Sequence, residues 1–312
     1  MFVYVLKRLL LIIPTLLLVI LLVFLILNIT PGNPGRIILG MGPDISQEAV
    51  DKLNEELGMN KSVIQRYVEY VGNAFQLDFG LSYKSREPVL GIVMKNFPTT
   101  IKLALFSIIT SALIGIPLGI LSAVKRYSFI DISLTVTALI LASIPGFWLG
   151  IMLILLFALG LGILPSCGIG SMQHYILPVL TLALPSAAYL LRITRIIMLE
   201  TLRQDYIRTA KAKGATNRRV IFRHAVKNTL LPVITSLGMS FATLLGGALI
   251  IEVVFGLPGI GLTILNAMTL KDLPIIMASV ILLSTLFMLI MLVVDILYAY
   301  IDPRIKAQFS RG

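Results

Sequence analysis

Charge is what this sequence has least of. Asp, Glu, Lys and Arg make up 13% of its 312 residues, where a soluble globule has about a quarter. Hydrophobic residues reach 57% and the mean hydropathy is +0.96. A water-soluble domain is excluded, and a polytopic membrane protein is expected. Cysteine is confined to Cys167, so the chain can close no internal disulfide and build no multi-thiolate metal site. Its two histidines, His174 and His224, stand far apart, and no HExxH spacing occurs. No GxxxxGK(S/T) run is present, so the chain has no P-loop with which to bind ATP itself. With no GxSxG elbow and no recognisable paired-carboxylate cleft, an enzyme is a poor reading.

What the sequence does have is long apolar runs. About 20 residues at 1.5 Å each cross a hydrocarbon core of about 30 Å. Leu9 to Ile29 meets that length, interrupted only by Pro14, Thr15 and Asn28. Lys7 and Arg8 precede it as in a signal peptide. The run is longer than the ~7–15 residues of a signal core and no small-x-small cleavage site follows, so it is expected to stay as the first span. Five more spans are expected. They cover Thr99–Val124, mildly broken at Gly115, Pro117 and Gly119; Asp131–Leu161, kinked at Pro145-Gly146; Tyr175–Arg195; Leu230–Val254; and Pro274–Ile301. Phe255 to Leu273, with Gly256, Pro258, Gly259 and Gly261, has the chemistry of a re-entrant or external loop.

The predicted fold is therefore an all-α polytopic membrane protein with six transmembrane helices and a small helical insertion after the first. It divides into 1–29, the insertion 30–97, a five-helix core 98–301 and a tail 302–312. Within the insertion, Ser46 should cap a helix with Val50, Leu53 and Leu57 on one face, ending at Gly58. A second helix, Ser62–Phe75, should present Ile64, Tyr67, Val71 and Phe75. Together they are expected to form an external cap over the membrane portion.

Basic residues are distributed unevenly. Seventeen fall on the side of both termini, ten of them between Arg192 and Lys227, and nine on the other side. By the positive-inside rule the termini and the Glu200–Pro232 segment are cytoplasmic and the insertion is outside. This accounts for the net charge of +11 without nucleic acid. A nucleic-acid tether would also want interleaved aromatics, and the segment has only Tyr206 and Phe222.

Glu200 to Pro232 is the one long basic stretch between two apolar runs. Leu199, Leu202, Tyr206 and Ala210 recur at helical spacing, Gly214 suits a positive-φ helix end, and Thr216 suits the N-cap of a second helix carrying Val220, Ala225 and Val226. The prediction is a helix–elbow–helix in water whose apolar stripe the chain has no core to bury, so that it requires a partner. An ordinary topology-setting loop is the plain alternative.

Ionisable residues inside the spans are few. Glu252 lies near the outer end of the fifth span and Asp295 within the last, where Arg192 or Arg195 would be suitable partners. Two scattered acids do not make a proton relay. His174, with Met172 and Cys167 nearby, offers soft and borderline ligands for a transient nickel or copper contact, or simply an interfacial hydrogen-bonding anchor.

Several motifs together carry a family resemblance. Tyr206-Ile207-Arg208-Thr209-Ala210-Lys211-Ala212-Lys213-Gly214, then Arg223-His224-Ala225 and Asn228-Thr229-Leu230-Leu231-Pro232, resemble the EAA coupling loop of binding-protein-dependent ABC importer permeases in its peptide and nickel version. Pro31-Gly32-Asn33-Pro34, Leu57-Gly58, Asp78-Phe79-Gly80-Leu81-Ser82, Pro98-Thr99-Thr100, Glu252-Val253-Val254-Phe255, Pro258-Gly259-Ile260-Gly261, Asp295 and Asp302-Pro303-Arg304 extend the resemblance along nearly the whole chain. It implies a prokaryotic inner- or plasma-membrane permease for dipeptides, oligopeptides or nickel, free or chelated. The implied partners are a second related permease, two cytoplasmic ATPases that hold ATP and Mg, and an external substrate-binding protein. The implied coupling residues are Tyr206, Arg208, Thr209, Ala210, Lys211, Lys213, Gly214, Arg223 and His224. Arg208 and Thr209 stand where the general motif has Glu and the first Ala, and Asn33 stands where Asp is usual. The competing reading is a self-sufficient secondary transporter or channel.

Overall fold

The computed structural model describes residues 2–29, 33–39 and 46–301. Pro31-Gly32 and Asp302-Pro303-Arg304 lie outside them. The described residues are helical with no named strand, and an isolated antiparallel bridge joins Leu81 to Pro88. The helices are α1 (Phe2–Ile29), α2 (Pro34–Leu39), α3 (Gln47–Glu56), α4 (Val63–Phe75), α5 (Val89–Val124), α6 (Phe129–Ser143), α7 (Gly146–Leu153), α8 (Gln173–Leu202), α9 (Asp205–Ala212), α10 (Asn217–Arg219), α11 (Val226–Val254), α12 (Ile260–Thr269) and α13 (Leu273–Ile301). Two π-helical stretches, Ile154–Gly160 and Val220–Ala225, continue α7 and α10.

Five of these helices are long and apolar enough to cross a membrane, or six when the bent α6–α7 pair counts as one span. That pair is more than a kink. The chain turns by 103° between α6 and the α7–π segment. Pro145 excludes the α region for Ile144, which sits at φ −80°, ψ 127°, and Pro145 itself is extended, so two consecutive residues leave the helix.

By contrast, the breaks expected in the second span are absent. α5 starts at Val89, about ten residues early, and runs unbroken past Gly115, Pro117 and Gly119. The glycines serve packing instead. A Cβ on Gly115 would stand 2.5 Å from the Ala187 carbonyl oxygen, and one on Gly119 would stand 2.6 Å from that of Leu191, so α5 meets α8 backbone to backbone. Phe255–Leu273 is also not all loop: Gly256 to Gly259 make a turn, and α12 follows.

The chain forms two compact units: Met1–Val5 with Thr100–Leu257 and Leu289–Gly312, and Leu6–Thr99 with Pro258–Met288. The first unit has its core where α8 and α11 cross, with Leu103, Leu177, Leu182, Leu244, Ile251 and Phe255 buried together. In the second, Ser46 caps α3 and Gly58 ends it at φ +70° as expected, and Val50 is buried. Ser62 and Gln65 form a reciprocal capping box on α4. The face of α4 differs from expectation: Tyr67 and Val71 are partly covered, but Ile64 and Phe75 are exposed.

Candidate functional site

The elbow belongs wholly to the first unit. α8 continues to Leu202, so Leu199 and Leu202 are the end of a span and not part of a separate short helix, and the chain turns at Arg203-Gln204 before α9. α9 ends in a Schellman motif. The Gly214 N–H donates to the Lys211 carbonyl at 2.9 Å, and the Ala215 N–H donates to the Ala210 carbonyl at 3.1 Å, with Gly214 at φ +80°. A Cβ on Gly214 would meet no atom within 4 Å, so backbone conformation, not crowding, calls for glycine there. Thr216 then caps α10, its Oγ1 accepting from the Arg219 N–H at 3.4 Å. The second arm is no independent helix. Asn217 to Val254 is one helical run of 38 residues, with the π-helical turn at its foot.

The apolar stripe expected to await a partner is already covered apart from Tyr206. Ile207, Val220 and Ala225 are buried with Met198 of α8 and Ala123 of α5, and Ile120, Ala210 and Ala215 pack around them. Periodicity marked Ala210, Val220 and Ala225 as apolar, but it picked Tyr206, which is exposed, and passed over Ile207, which is buried. It carried no sign that the foot of α5, eighty residues earlier, lies beneath them.

What remains outward is polar and basic apart from Phe222. Tyr206, Arg208, Thr209, Lys211, Lys213, Gly214 and Arg223 are exposed, while Ala210 and His224 are half-buried. Asn228 joins the two arms, its Nδ2 donating to the Tyr206 hydroxyl at 3.0 Å and to the His224 carbonyl at 2.9 Å. The Arg208–Asp205 contact, 3.6 Å between exposed groups, adds little stability. Phe222 is 64% exposed among these cations and was not among the expected site residues. Its signal was plain, as the only phenylalanine in the basic stretch.

A polar clamp lies at the same end of the unit. Arg195 of α8 grips Asp131 of α6 with both ends of its guanidinium, Nε to Oδ1 at 2.7 Å and Nη2 to Oδ2 at 2.9 Å. Ser122 of α5 donates to Oδ1 at 2.5 Å and the Tyr127 N–H to Oδ2 at 2.9 Å. Three helices thus share one buried carboxylate, adjacent to Ala123 of the elbow's seat. Sequence reasoning offered Arg192 or Arg195 to Asp295; the structure gives Arg195 to Asp131. Glu252 is buried in the last turn of α11, and Asp295 is half-buried in α13. His174 Nδ1 accepts the Ser171 N–H at 3.2 Å, Met172 and Cys167 are exposed, and no group of three or more His, Cys, Asp or Glu among the described residues is placed to hold a metal ion.

Comparison with known proteins agrees with this architecture. Residues 115–307 match the family described as "Binding-protein-dependent transport system inner membrane component", and residues 1–104 match its N-terminal companion, "Binding-prot-dependent transport system membrane comp, N-term". The chain is 41% identical over 304 residues to the glutathione transport system permease protein GsiC of Escherichia coli (strain K12), covering 97% of this chain and 98% of that protein. The same values hold for GsiC of Shigella dysenteriae serotype 1 (strain Sd197). Among solved structures, an inward-facing form of the MetNI methionine ABC transporter superposes with a TM-score of 0.59 at 19% identity, over 69% of this chain and 99% of that one. An amino acid ABC transporter with histidines gives 0.51 at 17% identity, over 69% and 94%. At such identities the likeness is one of fold. The family match and the near full-length identity make this chain a member of the binding-protein-dependent transport system inner membrane components, a multi-pass permease subunit of a peptide-type ABC importer.

Proposed function

We propose that this permease passes short peptides of the glutathione kind inward across the membrane, and that the Glu200–Pro232 elbow is where separate ATPases drive it. The observation that carries the proposal is the construction of the elbow. α9 is seated through Ile207 on Ala123, Met198, Val220 and Ala225, its Tyr206 is tied to the second arm by Asn228, and the elbow presents Tyr206, Phe222 and a cluster of cations outward. A surface seated in this way transmits displacement, because packed interiors do not deform continuously. One arm is continuous with α8 through a short turn and the other with α11 without interruption, so a push on α9 reaches both spans that form the unit's core.

In this reading ATP and Mg are held by two partner ATPases, whose closure moves the elbow. A second, related permease completes the pathway, and a binding protein on the opposite side delivers the substrate. Both termini and the elbow face the cytoplasm. Arg208, Lys211, Lys213 and Arg223 make the polar contacts to the ATPase, and Phe222 fills an apolar recess in it. Peptide is preferred over nickel because the relatives that match along their length transport glutathione and because no metal-holding cluster occurs among the described residues.

The test is uptake in membrane vesicles carrying the assembled complex. Labelled glutathione or dipeptide entry should require ATP inside and the binding protein outside, and a Lys213→Cys crosslinker should capture an ATPase subunit. Uptake by this chain alone, driven by an ion gradient, would overturn the proposal in favour of a secondary transporter.

A further inference from the structure

α4 has more apolar surface than its own unit covers. Ile64, Val68 and Phe75 fall within about 40° of one another at about 100° per residue. They are 75%, 61% and 61% exposed. Gln65, Glu69 and Asn73 hold another flank, with Glu69 bridged to Lys61 at 2.7 Å.

What faces the apolar flank follows from where α4 meets α1. The Tyr67 hydroxyl donates to the Leu17 carbonyl at 3.0 Å, and its ring stands edge-on to Phe24 at 5.7 Å. From the neighbouring position Arg66 reaches the other way along α1, over the Phe24 ring to Asn28 Oδ1 at 3.1 Å. Leu17 is twelve residues short of Ile29, about 18 Å along the helix axis. It sits in the middle of the apolar run that begins after Arg8.

If α4 stood in water, α1 would have to leave the hydrocarbon near Ile20. The stretch from Leu9 to that point, about 18 Å, falls well short of a core of about 30 Å unless Lys7 and Arg8 entered it. At the same depth Leu18, Leu22 and Ile26 of α1 are each more than half exposed, the pattern of a lipid-facing helix.

We propose that α4 is an interfacial helix, not a water-exposed cap: its Ile64–Val68–Phe75 flank lies against the acyl chains of the leaflet at the Ile29 end of α1. Tyr67 anchors it to the span, and Arg66 carries its charge outward to headgroup level. The motion of the permease would then be felt by, and sensitive to, the lipid on that side.

The test uses the full complex in lipid nanodiscs, with Cys167→Ser removing the native exposed thiol and single cysteines introduced as V68C, I64C or N73C, each carrying an environment-sensitive fluorophore. Labels at 68 and 64 should lose at least half their emission to lipids brominated in the acyl chain and be untouched by iodide. The label at 73 should show the reverse. Quenching by iodide at 68 and 64 places the flank in water and overturns the proposal. Protection from both quenchers shows a protein partner covering it and overturns the proposal equally. Using both positions guards against one variant failing to assemble. The outcome does not depend on which substrate the complex carries.

Discussion

Ser82 donates a 2.5 Å hydrogen bond to Asp272 across 190 positions of sequence. The same carboxylate accepts the Tyr83 N–H at 3.1 Å and the Lys84 N–H at 3.2 Å, so a buried acid just before α13 organises the turn that precedes α5. Asp272→Ala leaves the buried Ser82 hydroxyl and the Tyr83 amide without their acceptor, while the Lys84 N–H keeps Ser82 Oγ at 3.2 Å, and should cost about 3 kcal/mol. Thermal unfolding of the purified complex should show the loss. Ser82→Ala removes one donor to that carboxylate and also the acceptor of the Lys84 and Ser85 N–H groups, and should cost about 2 kcal/mol.

The Asp131–Arg195 clamp predicts a different signature. Asp131 is buried and Arg195 partly so; removing one partner of such a pair costs about 3 kcal/mol at most because it strands the other charge, whereas apolar replacement of both is often close to neutral. Asp131→Leu and Arg195→Met should therefore each lower the unfolding temperature, and the double variant should lose much less than the sum of the two. Simple additivity in that double-mutant cycle would mean that the bridge adds nothing to stability.

At Gly214 the absence of neighbours separates conformation from contact. Gly214→Ala should destabilise α9 by about 1–2 kcal/mol, the usual penalty for a side chain in the left-handed region. Import should persist. Gly214→Trp should abolish ATP-coupled uptake while leaving membrane insertion intact, because its bulk can only meet a partner. Equal effects of Ala and Trp would show that the turn, and not the docking surface, is what transport requires.

Beneath the elbow, Ile207→Ala should cost about 2–4 kcal/mol as a buried large-to-small change. The loss should stay local: faster amide exchange across 205–215, a fall in ATP-coupled uptake, and unchanged assembly of the spans. If exchange rises equally in α8 and α11, the elbow is not a separable device.

Gly119→Val tests the close approach of α5 and α8. Its Cβ would sit against the Leu191 carbonyl oxygen, backbone that cannot yield as a flexible side chain would, and against the Cβ of Thr194, a short branched side chain with little room to move. Overpacking of this kind costs about 1–3 kcal/mol. Lowered yield of folded protein, measured by size-exclusion chromatography in detergent, is the expected result.

Hydropathy placed the membrane-crossing runs and the basic elbow between them, and residue type alone marked the glycine turn at 214 and the caps at Ser46 and Thr216. Each of these is a local matter: a run of apolar residues needs lipid, and a helix end needs a donor, an acceptor or a positive φ within a few residues. Tertiary structure decided everything that depends on what lies opposite. It turned the Pro145 kink into a bend of 103°, because two extended residues redirect a helix by an amount that sequence does not specify. It turned Gly115 and Gly119 from breaks into contacts, because only the neighbour's backbone reveals why a side chain is missing. It gave Arg195 to Asp131 and covered the elbow's stripe with α5, since periodicity records which side of a helix is apolar and cannot record which distant segment will come to rest upon it.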